Sequence, residues 1–199
     1  MNKVYLDVPY NEKDEAKALG ARWDGAVKSW FIPKDIPIKR FTKWLQNYNG
    51  KITGTLYLIE STETCWKCQL TSKVYAIFSK NHTETCFDDD NGEPYEEIHD
   101  FPSTFSHIDH IDFNVLKAIR TITNKLFFDN SKTIGRRLLM NHCEHCSAKF
   151  GDFFMFNEPG GAFFGDATDR WTFHKLLDKG NYGYCGDYSS SEAFDSINI

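Results

Sequence analysis

Apolar and polar positions alternate from the start of the chain: "VYLDV" (residues 4 to 8) has the period of two expected of a strand. The next stretch, "EKDEAKAL", switches to a helical pattern. Asn11 is placed to cap it, Asp14 three residues on completes a capping-box-like arrangement, and Gly20 suits the left-handed position that ends it. "ARWD" and "KSWFI" then predict a hairpin across Asp24-Gly25. Ile38, Phe41, Trp44, Leu45 and Tyr48 fall at helical spacing and predict a second helix ending near Asn49-Gly50. Residues 1–50 therefore read as a small α+β module of strand, helix, hairpin and helix. With so little core available, every large aromatic counts.

Beyond residue 50 the pattern restarts. "TLYLIES" and "KVYAIFS" predict strands, and "DFNVLKAIRTITNKLF" (112–127) predicts an amphipathic helix capped by Asp112. Between them, residues 84–112 hold ten acidic residues and no Lys or Arg, with Pro94 and Pro102 interrupting, and read as an exposed loop or insertion. "GDFFMF" reads as a strand, "EPGGAFFGD" as a turn and "RWTFHKLL" as a short helix. Residues 186–199, rich in Ser, Gly and Asp, read as a loose tail. The expected division is a module at 1–50, a second α+β domain at 54–185 and the tail.

Composition is compatible with packed cores, since 41% of the residues are hydrophobic and 16% aromatic. No apolar run has the roughly 18 residues of a membrane helix and the start has no signal-peptide core, so a cytoplasmic protein without membrane contact is expected. Charge divides unevenly. Residues 1–50 carry nine Lys/Arg against six Asp/Glu, whereas residues 51–199 carry fourteen against twenty-two. A basic head on an acidic body points to two separate tasks.

Chemistry concentrates in the cysteines. "CWKC" and "CEHC" are two Cys-x-x-Cys pairs, and Cys65, Cys68, Cys143 and Cys146 are the expected ligands of one tetrahedral Zn²⁺. Each pair is followed by a strand-like run, as in a zinc ribbon. The 74 residues between Cys68 and Cys143 exceed the usual 15 to 20, which an inserted subdomain would explain. Unliganded or redox cysteines are the alternative, although a dithiol redox centre needs only one pair. Four thiolates close the coordination shell, so such an ion would be structural. His142 and His145 flank the second pair as potential substitutes, and Cys86 and Cys185 are left without a role.

Other motifs are weaker. His107, Asp109 and His110 in "SHIDHID" could bind a catalytic metal, which would make the chain a metal-dependent hydrolase. "DDDNGE" fails as a calcium loop, because Phe87 and Ile98 fall where carboxylates are required. "EPGGAFFG" lacks the Gly-Lys-Ser/Thr of a phosphate loop. Carboxylates near Cys86 would raise its pKa and so argue against a nucleophile. In "GARWDGAVKSWFIP" the tryptophans either close the small core or stack on bases. In the second case Trp23 and Trp30 supply the aromatic surface, and Arg22, Lys28, Lys34, Lys39, Arg40 and Lys43 meet phosphates. Both hold if one ring is buried and its neighbour is not.

The run "VYLDVPYNEKDEAKALGARWDGAVKSWFIP" with the following "FTKWL" resembles a small uncharacterised domain found in plasmid-encoded primases and other mobile-element DNA-processing proteins. More distantly it resembles the small fork-binding domain of annealing helicases. "CWKC" with "NHCEHCSAKFGDFFMFNEPGGAFF" is similar to a cysteine-paired region of uncharacterised bacterial and phage proteins, and that likeness implies zinc. The sequence contains no catalytic primase or nuclease domain. The expectation is a non-enzymatic, zinc-binding accessory protein whose head binds single-stranded or junction DNA. Its rival is an inhibitor or immunity-type factor that meets a protein partner through the acidic residues 84–112.

Overall fold

The protein is described by a computed structural model covering residues 3–6, 8–25, 29–45, 48–89 and 92–199. The chain divides into two compact units, Met1–Asn47 and Tyr48–Ile199.

In the first unit, β1 (Val4–Leu6), β2 (Arg22–Asp24) and β3 (Ser29–Ile32) form an antiparallel sheet with β3 in the middle. Trp23 lies opposite Trp30, and Tyr5 opposite Phe31. The helix α1 (Lys13–Ala18) ends as the sequence predicts. Ala21 N–H donates to the Ala16 carbonyl and Gly20 N–H to that of Lys17, a Schellman motif with Gly20 at φ +102°. A Cβ on Gly20 would also lie 2.2 Å from Ile36 Cδ1. The predicted Asn11 cap does not form. A 3-10 turn over Tyr10–Glu12 leads into α1, and the Glu12 carboxylate instead accepts from Trp44 Nε1 at 2.6 Å.

The second predicted helix is a 3-10 helix over Ile38–Trp44. Its three-residue repeat puts Phe41 and Trp44 on one line, both buried with Leu6, Ala16, Ala21 and Ile32. Leu45 then leaves in an extended conformation that bridges to Leu6, so the helix stops short of Asn49-Gly50. Burying Leu6, Ile32 or Phe41 stabilises the unit by roughly 1.5–3 kcal/mol each, a large share of what so small a core supplies.

The second unit is built on β4 (Gly50–Thr64), β5 (Thr71–Ser79), β6 (Asn81–Phe87), β7 (Pro94–His99), β8 (Ser103–Ile111) and β11 (Thr172–Ser190) in one antiparallel sheet. Strand β11 pairs with both β4 and β8, and β8 pairs with β5, so β5, β4, β11 and β8 form a closed circuit of pairs. "KVYAIFS" is apolar on both faces because both are covered. Val74, Ala76 and Phe78 face one core with Ile59, Phe163, Trp171 and Phe194, while Tyr75 and Ile77 face a second with Leu56, Leu58, Phe105 and Tyr184. Helix α2 (Phe113–Ile122), capped by the Asp112 carboxylate on Asn114 N–H at 2.8 Å, lays Val115 and Ile119 into the second core. A two-stranded ribbon of β9 (Leu126–Asn130) and β10 (Arg137–Asn141) completes the unit with α3 (Asp152–Phe156) and α4 (Glu192–Asp195).

Several expectations are corrected. The acidic segment is no loop: it forms most of β6 and all of β7 and β8, and among its described residues 88–89, 92–93, 100–102 and Asp112 lie outside strands. Nor is it a separate insertion, because β6 pairs with β4 and β8 pairs with β5 and β11 in the same sheet. "RWTFHKLL" joins a strand, and "GDFFMF" becomes helix α3. The tail is not loose: Asp187–Ser190 pair with β8, and Phe194 is buried in the first core. No helix among the described residues is long and apolar enough to cross a membrane.

Candidate metal centre and exposed aromatic edge

Cys65 and Cys68 lie in the connection between β4 and β5, while Cys143 and Cys146 follow β10. The two turns close in the same way. Cys65 N–H donates to the Leu70 carbonyl and Gln69 N–H to that of Cys65; Cys143 N–H donates to Ala148 and Ser147 N–H to Cys143. Gln69 and Ser147 both take positive φ, +61° and +57°, at the residue after the second cysteine. Two copies of one knuckle thus face each other. Cys65 Sγ lies 3.6 Å from Cys146 Sγ, and Cys68 Sγ 3.7 Å from Cys143 Sγ. Four sulfurs around a tetrahedral Zn²⁺ with bonds of about 2.3 Å would stand about 3.8 Å apart, so the donor set fits such an ion.

Electrostatics in the cluster favours a cation. Backbone N–H groups of Cys68 and Lys67 favour the Cys65 thiolate and lower its pKa. Burial opposes ionisation of Cys143, but N–H groups of Cys146 and His145 and the neighbouring thiols outweigh it and hold Cys143 down to about 6. The N–H of Leu70 favours the Cys68 thiolate, yet burial and three adjacent sulfurs push that thiol up to about 12. The Cys65 and Cys143 thiols are drawn towards ionisation, and Cys68 beside them resists it. A divalent cation removes that resistance.

The scaffold joins the knuckles independently of any ion. Glu144 N–H donates to Ser72 Oγ at 3.0 Å, the Glu144 carboxylate accepts from Lys73 N–H at 2.9 Å, and Trp66 Nε1 donates to the Lys149 carbonyl at 2.9 Å. The Asn141 side chain, fully buried, bonds both the N–H and the carbonyl of Tyr75 at 2.8 Å. Cys65 and Cys143 are themselves buried in the first core. The flanking histidines have other partners. His142 stacks on Phe127 and lies 3.2 Å from Asp129, and His145 Nε2 lies 3.0 Å from the Thr71 carbonyl. Asp129, beside Lys149 and His142, is held at about 2.

The other predicted residues separate. His107 takes φ +47° and places Nδ1 3.0 Å from Asp187, whereas His110 pairs with Asp109, so the two histidines do not converge. A grouping that adjacency could not reveal takes their place: donor atoms of Asp109, His110 and Cys185 lie within 4.8 Å of one another. Cys86 is raised by burial first and then by Glu97, which its Sγ meets at 3.5 Å.

In the first unit Trp44 is buried and Trp30 half-buried, while Trp23 is 53% exposed on β2 and stands edge-on to Trp30 at 5.6 Å. Arg22, Lys34, Lys39 and Arg40 are exposed. Lys43 is tied to Glu15 at 2.7 Å and Glu12 at 3.2 Å and lies over the Trp44 ring, so it is engaged within the unit. Lys28 lies outside the described residues.

Residues 3–46 match the family described as "Domain of unknown function (DUF5710)". Two proteins of Escherichia coli named "DNA primase TraC" share a segment with this chain. One is 55% identical over 44 residues, which is 22% of this chain and 3% of the relative; the other is 50% identical over 42 residues, 21% and 4%. The chain thus spans only a few per cent of the length of these curated relatives. No solved structure matches.

Proposed function

We propose that the chain is a zinc-binding, non-enzymatic accessory protein of a bacterial mobile element or phage, whose N-terminal unit binds single-stranded or junction DNA. The metal part rests on the two matching knuckles, and the ion's role is to lock the β4–β5 connection to the end of β10. The DNA part rests chiefly on Trp23. The small core buries Trp44 and half-buries Trp30, yet leaves the Trp23 indole 53% exposed on an edge strand beside Arg22. Base stacking contributes on the order of 1–3 kcal/mol, and the exposed cations would meet phosphates. The segment shared with proteins named as primases supports this reading.

Fluorescence anisotropy of the full chain with a short labelled oligothymidylate tests it. Binding at low salt should weaken on the order of 5- to 150-fold in Trp23→Ala. Arg22→Ala should flatten the salt dependence. Absence of binding at low salt, or indifference to both changes together, overturns the reading.

A second reading, a protein partner for the acidic segment, is favoured by β7. This strand ends the six-stranded order and exposes Tyr95 and Ile98 among Glu93, Glu96 and Glu97. An edge of that kind can take a further strand from a basic partner. Recovery of a stoichiometric protein from nuclease-treated lysate, lost in Ile98→Asp, would support it; no such recovery would remove it.

A further inference from the structure

We infer a second metal site in the larger unit, formed by Asp109, His110 and Cys185 and open at one coordination position. It stands apart from the DNA-binding proposal and from the four-cysteine centre. Strands β8 and β11 pair regularly at Ser106–Asp187 and again at His110–Cys185. Between these pairs, three residues of β8, His107 to Asp109, stand against Gly186 alone. A bulge of this size re-aims side chains. In a regular strand Asp109 and His110 would point to opposite faces; here the Asp109 carboxylate lies 2.9 Å from His110 Nδ1. The bulge requires glycine beneath it, because a Cβ on Gly186 would lie 2.8 Å from the Ser106 carbonyl oxygen and 3.0 Å from Ile108 Cα.

The register places Cys185 directly across from His110, and the bulge adds the carboxylate. One oxygen, one nitrogen and one sulfur donor thereby come within 4.8 Å of one another, each partly buried and reachable by solvent. A tetrahedral ion would set its donor atoms at separations of about 3.3–3.7 Å, between the 2.9 Å carboxylate–imidazole contact and the 4.8 Å limit of the group. The other carboxylate oxygen of Asp109 is held by Arg136 Nη1 at 3.0 Å, an outer-shell bond of the sort that orients a ligating carboxylate. Mixed O, N and S donors select a borderline divalent transition ion such as Zn²⁺ or Co²⁺ and disfavour Ca²⁺ and Mg²⁺, which take oxygen. Three protein donors leave the fourth position to water or an incoming ligand, unlike the closed four-sulfur set.

The test uses the full chain, stripped with chelator under reducing conditions and titrated with Co²⁺ in the absence of other ligands. Metal content and the visible spectrum should show two ions per chain, the first with an all-thiolate spectrum. Cys185→Ser and His110→Gln should each weaken the second binding event at least about 10-fold and leave the first unchanged. His107→Gln, whose imidazole meets Asp187 instead, should retain both. Circular dichroism checks folding, and the two ligand variants are independent, so either one suffices. One Co²⁺ per chain when the four-sulfur site is full, or a second ion indifferent to both ligand changes, overturns the proposal.

Discussion

His82 should make the larger unit sensitive to acid. It sits near the start of β6, is fully buried, and neither ring nitrogen has a hydrogen-bond partner among the described residues. Its neighbours are His99 at 4.7 Å from β7, Phe105 at 5.3 Å from β8, Tyr188 at 4.2 Å from β11, and Phe101 at 5.6 Å. Around this cluster the ionisable groups are His99, the Tyr188 hydroxyl 3.3 Å from His99, and Glu84 at 3.8 Å from His99. Burial, and then any charge on His99, hold His82 down to about 4, against an ordinary 6.5. A histidine depressed in the folded state contributes stability that is fully present above pH 6.5 and is lost as pH falls towards 4. At 1.36 kcal/mol per pKa unit the upper limit is about 3 kcal/mol; relaxation and water entry around a charged ring reduce it to about 1–3 kcal/mol. Urea unfolding of wild type and His82→Phe at pH 7 and pH 5, with equal excess zinc, isolates the effect, since thiol protonation is common to both. Relative to the variant, wild type should lose about 1–2 kcal/mol between these pH values. A difference between the two proteins that stays constant within about 0.5 kcal/mol would refute the reasoning.

Gly20→Ala should destabilise the full chain's N-terminal unit by about 1–3 kcal/mol, through the positive φ and the approach of Ile36, measured as loss of amide exchange protection in residues 3–45. Asn141→Ala strands the buried N–H and carbonyl of Tyr75, and chemical denaturation should show a loss of about 1–3 kcal/mol or more. Asp152 accepts the His107 N–H at 2.6 Å; Asp152→Ala should cost about 1–3 kcal/mol and Asp152→Asn, which retains an acceptor oxygen, much less.

The features legible in the sequence are those with a one-sided or chemical signal. Helix α2 has one apolar face and a capping aspartate, Gly20 meets a positive φ that disfavours any Cβ, and paired cysteines mark a candidate ligand set whatever the fold between them. The β6–β7 hairpin is not legible in the sequence because it has little apolar alternation: Glu84 opposes Glu97 and Thr85 opposes Glu96, so polar groups occupy both faces and backbone pairing makes the strands. In β11, register shifts between Lys175 and Gly180 give Phe173, Leu176 and Leu177 a spacing that mimics a helix. Helix α3 is a short apolar run, and period alone cannot separate such a run from a buried strand. The Asp109–His110–Cys185 grouping was hidden for another reason: it depends on strand register and a bulge, neither of which leaves a local mark.

X-ray absorption at the zinc edge, on the full chain loaded with one equivalent of Zn²⁺ under reducing conditions, tests the shared ion most directly. Four sulfur neighbours at about 2.3 Å are predicted, with that shell disrupted in Cys65→Ser and in Cys143→Ser alike. A first shell dominated by nitrogen or oxygen, or an all-sulfur shell that survives loss of either knuckle's cysteine, would contradict it.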